Sequence, residues 1–177
     1  MRYGLLPGTQ IGVHRTSDRT IQVFVQQSIF TQRDGGALGL DAIATLEGYD
    51  NLTEQRQSTI GVALSHNAGR RAALYVEPLF VANANPFSVG DDNTLMLGLG
   101  ARVRVRPATY LVAEYTPRIT GYDSNDSQIT FALERRAGGH LFQLNVSNGV
   151  GTTLGQLASS GNNDNWFMGF NLSRKFF

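Results

Sequence analysis

Apolar and polar residues alternate along ten successive segments of this chain, and this period of two constrains the fold more than any other feature. In the segment 165–177, Trp166, Met168 and Phe170 share one parity, whereas Asn171 falls on the other. Side chains of a strand point alternately to its two faces, so each segment has an apolar face and a polar face. An apolar face rich in aromatic residues, on the strand that ends the chain, is typical of an outer-membrane β-barrel.

The alternating segments are close in length to the roughly 9–11 residues with which a tilted strand crosses a membrane. They are 9–15, 20–30, 37–47, 57–66, 71–82, 93–105, 109–118, 128–136, 140–147 and 165–177. Residues 1–6 are interpreted as the tail of a further strand. No segment has a sustained 3.6-residue period, so we expect almost no helix. The prediction is an all-β, transmembrane, antiparallel up-and-down β-barrel of about 10 strands, forming a single domain over residues 1–177.

The connections between these segments alternate in length. Long connections are predicted at 48–56, 83–92 and 148–164, a medium one at 120–126, and short ones at 67–70, 106–107 and 137–139. Long loops on one side and tight turns on the other are the outer-membrane pattern. The connections 16–19 and 31–36 are both short and depart from it.

Composition excludes several classes of protein. A net charge of +1 and a charged fraction of 16% indicate neither a nucleic-acid-binding protein nor a disordered chain. Cysteine is absent, which removes thiolate metal sites and cysteine nucleophiles, and no run of 18 apolar residues could form a membrane-spanning helix. The mean hydropathy of −0.18 does not argue against a barrel, because half of every spanning strand faces a polar interior.

Two motifs carry a family resemblance. Gly138-Gly139 followed by residues 140–150 (HLFQLNVSNGV), and residues 170–174 (FNLSR), resemble an uncharacterised family of outer-membrane β-barrel proteins known by a domain-of-unknown-function label. The segment 12–21 is also similar, and the resemblance extends over nearly the whole chain. It implies a barrel of about twelve strands in the full family form, without an assigned activity or catalytic residue. It also implies that this chain is N-terminally truncated, because family members begin with an export signal and further strands.

No export signal is visible at residues 1–3, which lead directly into strand-like sequence. We therefore expect the sequence to be a mature, trimmed or incompletely recorded form.

Charged residues are concentrated on the polar parity, and we predict that they line the interior. They are Asp41, Arg71, Glu77, Arg102, Arg104, Glu114, Arg118, Glu134 and Arg136. One interpretation is a selectivity lining for a small solute. The other is a braced interior of paired charges, which we favour because an isolated buried charge is costly and small barrels fill their interiors with side chains.

Aromatic residues near the segment ends predict two interfacial girdles, with ordinary hydrophobic packing as the alternative. The residues are Tyr49, Phe80, Tyr110, Tyr122, Trp166 and Phe176.

No catalytic, cofactor or metal site is predicted. Ser147 lies in a Ser-Asn-Gly stretch that resembles outer-membrane phospholipase A, but the position two residues upstream holds Asn145 where that enzyme has its histidine. A serine without a base is not activated. The three histidines have no ligand spacing, and the loop 121–127 (GYDSNDS) lacks the order of an EF-hand.

The sequence thus predicts a non-enzymatic barrel of the bacterial outer membrane, either a narrow pore or a structural, partner-docking component of the envelope. Its partners would be the lipid bilayer and an envelope protein, not nucleic acid. The alternatives are a soluble β-barrel that binds an apolar ligand, with Leu97 and Leu99 directed inward, and a membrane hydrolase.

Overall fold

The computed structural model describes residues 1–32, 36–85, 93–122, 127–159 and 165–174. Within these ranges the chain forms eleven strands and two short helices. The strands are β1 (Arg2–Leu6), β2 (Thr9–Arg15), β3 (Ile21–Phe30), β4 (Gly39–Gly48), β5 (Glu54–Ala68), β6 (Ala72–Ala82), β7 (Thr94–Arg106), β8 (Thr109–Thr120), β9 (Ser127–Ala137), β10 (His140–Ser147) and β11 (Phe167–Arg174). The helices are α1 (Tyr49–Leu52) and α2 (Leu154–Ser159).

All eleven strands form one antiparallel sheet in which neighbours in the chain are also neighbours in space. The predicted segments 9–15 and 140–147 coincide with β2 and β10, and residues 1–6 contain the short strand β1. The strand register pairs residues of the apolar parity with one another: Val25 pairs with Ile11 on one side and with Ala44 on the other. A slip of one residue would move every side chain to the opposite face, so this alignment fixes a continuous apolar face across the sheet.

Exposure alternates along the strands and shows which face is outside. On β9, Phe131 and Leu133 are 51% and 48% exposed, whereas Ala132 and Glu134 are 7% and 6% exposed. On β7, Leu97 and Leu99 share the parity of Leu95, which is 39% exposed. The apolar parity therefore faces outward and the ionic parity inward. This orientation is opposite to the one that the soluble ligand-binding alternative requires.

The inner face is not entirely polar, which corrects the predicted division into an apolar outer face and a polar inner face. Leu79, Val81 and Met96 lie on the inner parity of β6 and β7 and are at most 2% exposed. They lie near the end of the sheet at which the long connections occur, here called the loop end; the opposite end is the turn end. This inner apolar cluster packs against α2.

Helix α2 lies in the connection between β10 and β11, where the sequence predicts a long loop over residues 148–164. With six residues it is too short to show a helical period, and α1 has four residues with left-handed backbone at Asp50 and Asn51. No helix in the described ranges has the length and apolarity needed to cross a bilayer.

Candidate functional site

Helix α2 closes over the inner face at the loop end of the sheet. Leu154 and Leu157 pack against the inner apolar cluster, and Ala158 is fully buried within it. The helix contacts β5 and β6. A chain segment from the β10–β11 connection thus lies inside the curve of the sheet, at the mouth of the interior.

The first turn of α2 rests on a buried carboxylate. Glu47, on the inner parity of β4, is completely buried. It accepts hydrogen bonds from the backbone N–H of Gly155 at 3.0 Å and from the Thr153 hydroxyl at 2.6 Å. Gln22, on the neighbouring strand β3, donates a third hydrogen bond to it at 2.7 Å. A buried carboxylate needs such partners, and one at a helix N-terminus also complements the helix dipole.

The last turn of α2 is held by a cation from another strand. The guanidinium of Arg118 on β8 donates from Nε and Nη2 to the carbonyl oxygen of Leu157, at 3.2 and 3.1 Å. Arg118 is 6% exposed. Carbonyl groups in the last turn of a helix have no partner within the helix, so the guanidinium satisfies one of them and complements the dipole.

A third set of contacts joins α2 to the turn between β2 and β3. The Gln156 side chain donates from Nε2 to Asp18 at 2.9 Å and to the Thr20 hydroxyl at 3.3 Å. Burial raises the pKa of the Asp18 carboxyl, but hydrogen bonds from Thr16 and Thr20 to its charged form outweigh that effect, and the net pKa is lower than usual. Asp18 therefore stays ionised as an acceptor for α2.

Tyr49 in α1 also faces the mouth. Burial raises the pKa of its phenol, with a smaller contribution from the charges of Asp18 and Glu47, while a hydrogen bond with Ser159 of α2 acts in the opposite direction. Its predicted place in a lipid-interface girdle is therefore wrong, since its partners lie over the interior.

Gly155 is required by the close approach of α2 to the sheet. A Cβ atom at this position would overlap Glu47 Oε1 and Gln57 Oε1. Glycine lets the backbone N–H reach the carboxylate directly.

Below α2, the middle of the inner face carries acidic side chains. The Tyr75 hydroxyl on β6 donates to Glu114 Oε1 on β8 at 2.9 Å, across the intervening strand. Ser28 donates to Asp41, and Glu77 lies on the same inner parity of β6 as Tyr75. In the part of the chain that the structure describes, no group of three or more acidic or histidine side chains has the geometry of a metal site.

Near the turn end, the inner face carries arginines that are paired with a glutamate and a tyrosine. Arg102 on β7 donates from Nε to Glu134 Oε2 on β9 at 3.1 Å and from Nη2 to the other oxygen. The Arg102 guanidinium lies 3.5 Å from the centroid of the Tyr110 ring, and Arg136 approaches the same ring at 5.3 Å. Arg136 also lies 3.4 Å from Glu134. This cluster links three neighbouring strands.

The nine predicted interior charges do not form one lining. Arg118 lies at the mouth, next to α2. Asp41, Glu77 and Glu114 lie on the middle of the inner face, here called the acidic middle. Arg102, Glu134 and Arg136 form the ion-paired cluster near the turn end, here called the brace. Arg104 is half-buried on the same parity as Arg102. Arg71 is exposed next to the first residue of β6, and its predicted interior position is wrong because it lies in the tight turn.

The two aromatic girdles stay a prediction, although the structure gives the face on which several of their residues lie. Phe80 is 42% exposed on the outer face, and Trp166 is 56% exposed and stacks on Phe131. Tyr110 is a correction, because the arginine cluster holds it on the inner face. Tyr122 follows β8 at the loop end, where its N–H donates to Thr94, and Phe176 lies outside the described residues.

Ser147 is engaged by neighbours other than histidine. Its hydroxyl oxygen accepts hydrogen bonds from the Thr130 hydroxyl at 3.0 Å and from the Gly149 N–H at 3.3 Å. The His140 and Phe142 rings lie 6.1 Å apart at a tilt of 31°, and His66 contacts the carbonyl of Ala37.

Sequence reasoning missed the residues that hold α2. Glu47 falls in the predicted segment 37–47 without being part of a predicted site, and Thr153 and Gln156 fall in the predicted long connection 148–164. Thr153 followed three residues later by Gln156 has the spacing of a helix N-terminus, and the Thr153 hydroxyl does accept from the Gln156 N–H at 3.3 Å. That spacing is a local sequence signal from which the start of α2 could have been predicted.

Comparison with known families decides the class of this fold. The family model of a membrane-bound β-barrel domain, DUF5777, matches residues 1–176. The chain belongs to this family. Its single antiparallel sheet, with an apolar outer face and an ionic inner face, is the architecture of a membrane β-barrel. Neither a curated protein nor a solved structure matches the chain. The truncation implied by the resemblance stays a prediction.

Proposed function

We propose that this DUF5777 chain is a non-enzymatic barrel of the bacterial outer membrane whose interior is closed at the loop end by α2. Its role would be structural, with the loop end available to a partner protein of the envelope. One observation carries the proposal: α2 is bound at both of its ends by buried charges of the barrel wall, Glu47 and Arg118.

The outer-membrane location is supported by the distribution of connections. β5–β6, β7–β8 and β9–β10 are joined by tight turns at the turn end, while the connections that contain α1 and α2 lie at the loop end. Bacterial outer-membrane barrels have short turns toward the periplasm and longer loops outside. We infer that the loop end faces the exterior of the cell.

A structural role is favoured over a freely open pore because the interior is occupied at two levels. The mouth holds α2 and the inner apolar cluster, and the turn end holds the Arg102–Glu134 brace. Open porins of roughly 16–18 strands enclose an aqueous channel, whereas small barrels fill their interiors with side chains. An enzymatic role has less support, since the contacts of the Ser147 hydroxyl in the described ranges are with Thr130 and Gly149 and not with a histidine that could act as a base.

Single-channel recording in planar bilayers tests the closed interior. The wild-type protein is expected to give no conductance steps, and a variant that lacks residues 151–159 is expected to give stable steps because the mouth is then open. Equal steps from both proteins would contradict the proposal. Circular dichroism and heat-dependent mobility in detergent establish that the variant is folded.

A narrow pore is the second candidate, and the acidic middle of the interior favours it. Asp41, Glu77 and Glu114 share the inner face, and Thr45, Gln57 and Thr59 place buried side-chain oxygens there that have no partner in the described part of the chain. Such a path would favour cations. Cation-selective steps from the wild-type protein that lose selectivity in Glu77→Gln and Glu114→Gln would support this candidate over the closed barrel.

A further inference from the structure

A row of polar side chains crosses the outer face of the sheet near the turn end. Arg106 on β7 lies opposite Thr109 on β8, and Thr109 lies opposite Arg135 on β9. The register shift between Arg104 and Arg106 places Arg106 on the outer parity, which Thr109 shares with Leu111. Both Arg106 and Arg135 are exposed. This row, here called the arginine row, sets two guanidinium groups on either side of one hydroxyl.

The arginine row has no acidic partner in the described part of the chain. No ion pair there joins Arg106 or Arg135 to a carboxylate. Glu134, next to Arg135 in the chain, belongs to the inner face and is bound by Arg102 and Arg136. Neighbouring strands lie about 4.8 Å apart, so arginines two strands apart can both reach one phosphate group between them.

An apolar groove begins in the next row of the outer face. Its volume is about 570 Å³, and Val103, Leu111 and Leu133 line the end nearest the arginine row. Ala101 and Ala113 pair with each other and form its floor. The volume lies within the roughly 300–1,000 Å³ of ligand-binding clefts.

Larger side chains bound this groove on its other sides. In the row of Ala101 and Ala113, Leu74 and Phe131 stand at the two flanks and are 49% and 51% exposed. Tyr115 stands in the next row toward the loop end and is 42% exposed. The groove is therefore open outward and toward the arginine row.

A membrane lipid matches both parts of this surface. The chain belongs to a membrane-bound β-barrel family, and acyl chains surround the apolar outer face of such a barrel. Arginine side chains near a membrane boundary extend toward the headgroups, and cationic side chains attract anionic lipids. A second copy of the chain fits less well. Two copies inserted in the same orientation hold their arginine rows at the same depth, where the like charges repel.

We propose that Arg106, Thr109 and Arg135 bind the phosphate of an anionic phospholipid such as phosphatidylglycerol, and that one of its acyl chains lies in the groove over Ala101 and Ala113. The two guanidinium groups and the Thr109 hydroxyl donate hydrogen bonds to the phosphate oxygens. The arginine row selects the charge of the lipid, and the groove holds its tail. This site rests on the membrane location of the family and not on the closure of the interior by α2.

Fluorescence quenching by brominated lipids tests this proposal in the whole chain, refolded into phosphatidylcholine vesicles. Trp166 is the single tryptophan of the chain, and it stacks on Phe131 beside the groove. Bromine atoms on an acyl chain quench a tryptophan that they contact. Phosphatidylglycerol and phosphatidylcholine with the same dibrominated chains are compared by the mole fraction that gives half-maximal quenching.

The wild-type protein is expected to prefer the anionic lipid by about tenfold or more, because each arginine at an anionic lipid surface contributes about fivefold in affinity. Arg106→Gln combined with Arg135→Gln should abolish the preference. Arg71→Gln combined with Arg104→Gln is the matched control, since it removes the same charge from the turn end without changing the arginine row. Ala113→Phe fills the groove and should weaken quenching by phosphatidylglycerol at unchanged charge.

Equal quenching of the wild-type protein by the two lipids would overturn the proposal without recourse to a variant. A preference that persists in R106Q/R135Q, or that disappears equally in the control, would also overturn it, because the lipid would then respond to the charge of the whole turn end. Glycerol 3-phosphate carries the phosphate without acyl chains and is expected to leave the quenching unchanged. Relief of quenching by glycerol 3-phosphate would make the arginine row a site for a soluble phosphate and overturn the assignment to a lipid.

Discussion

Glu47 and Arg118 lie on β4 and β8 and bind opposite ends of one helix, α2. The carboxylate of Glu47 accepts a hydrogen bond from the Gly155 N–H at 3.0 Å, and the guanidinium of Arg118 donates one to the Leu157 carbonyl at 3.1 Å. Each charge is placed where the helix dipole favours it. This arrangement fixes a short segment across the mouth of a membrane barrel. Substitutions in α2 and in the strands of the barrel wall can test it.

Replacement of Glu47 by Gln is expected to loosen α2. The amide cannot accept from Gly155, Thr153 and Gln22 as the carboxylate does, so buried donors lose their partner, at a cost of about 1–3 kcal/mol. The free energy of unfolding in detergent, measured by urea titration, should fall by that amount, and conductance steps should appear. Glu54→Gln, at an exposed position, is the matched control. If E47Q changed neither quantity, the role of Glu47 as an anchor would be refuted.

Replacement of Gly155 by Ala tests the close contact between α2 and the wall. The added Cβ would overlap Glu47 and Gln57, so the helix must move, and we expect a loss of about 1–3 kcal/mol in the free energy of unfolding. In Gly4→Ala, the new Cβ meets no atom within 4 Å, so its effect should stay within about 0.5 kcal/mol. Equal effects of the two substitutions would mean that α2 does not rest on the wall.

The Arg102–Glu134 pair is expected to contribute measurably to stability. Their side chains are 29% and 8% exposed, so solvent screens the pair only partly. A double-mutant cycle with Arg102→Ala and Glu134→Ala should give a coupling energy of about 1–3 kcal/mol. The exposed pair Arg19–Asp50, at 67% and 51%, should give about 0–1 kcal/mol in the same experiment. A coupling for the inner pair no larger than that would argue against a braced interior.

Substitution of outward apolar residues at two depths tests the membrane orientation. Leu133 lies near the middle of β9 and is 48% exposed, and Val105 lies near the turn end of β7 and is 49% exposed. In lipid, Leu133→Arg should destabilise the folded protein by about 2–4 kcal/mol, and Val105→Arg by about 0–1 kcal/mol. Refolding equilibria in phospholipid vesicles measure both. Similar small effects would indicate that water, not lipid, covers this face.

The Asp18 contact with α2 is expected to depend on acid pH. Because the folded-state pKa of Asp18 lies below its usual 3.8, its stabilisation is complete above about pH 4 and is lost as the pH falls through the lowered pKa. The side-chain amide resonance of Gln156, which donates to Asp18, should titrate in NMR spectra with a midpoint below 3.8. Asp18→Asn should abolish that titration. A midpoint above 3.8 would contradict the hydrogen-bonded state.

The strands were predictable from the sequence because their signal is local. The exposure of Leu133 and the burial of Glu134 follow from a period of two that a few residues suffice to show. The inward position of Tyr110 and the exposed turn position of Arg71 were not predictable, since parity does not specify how far along the barrel a residue lies. Arg102 stacks on Tyr110 because two neighbouring strands bring them together.

By itself, the sequence determined that this chain forms antiparallel strands with one apolar and one ionic face, because alternation is a property of each strand alone. Only the tertiary structure decided what lies in the interior. Glu47 is more than a hundred residues from Thr153 and Gly155 in the chain, and the curvature of the sheet brings them into hydrogen-bond distance. A helix of six residues is not stable in isolation, so α2 exists where the wall supplies its caps and its apolar contacts.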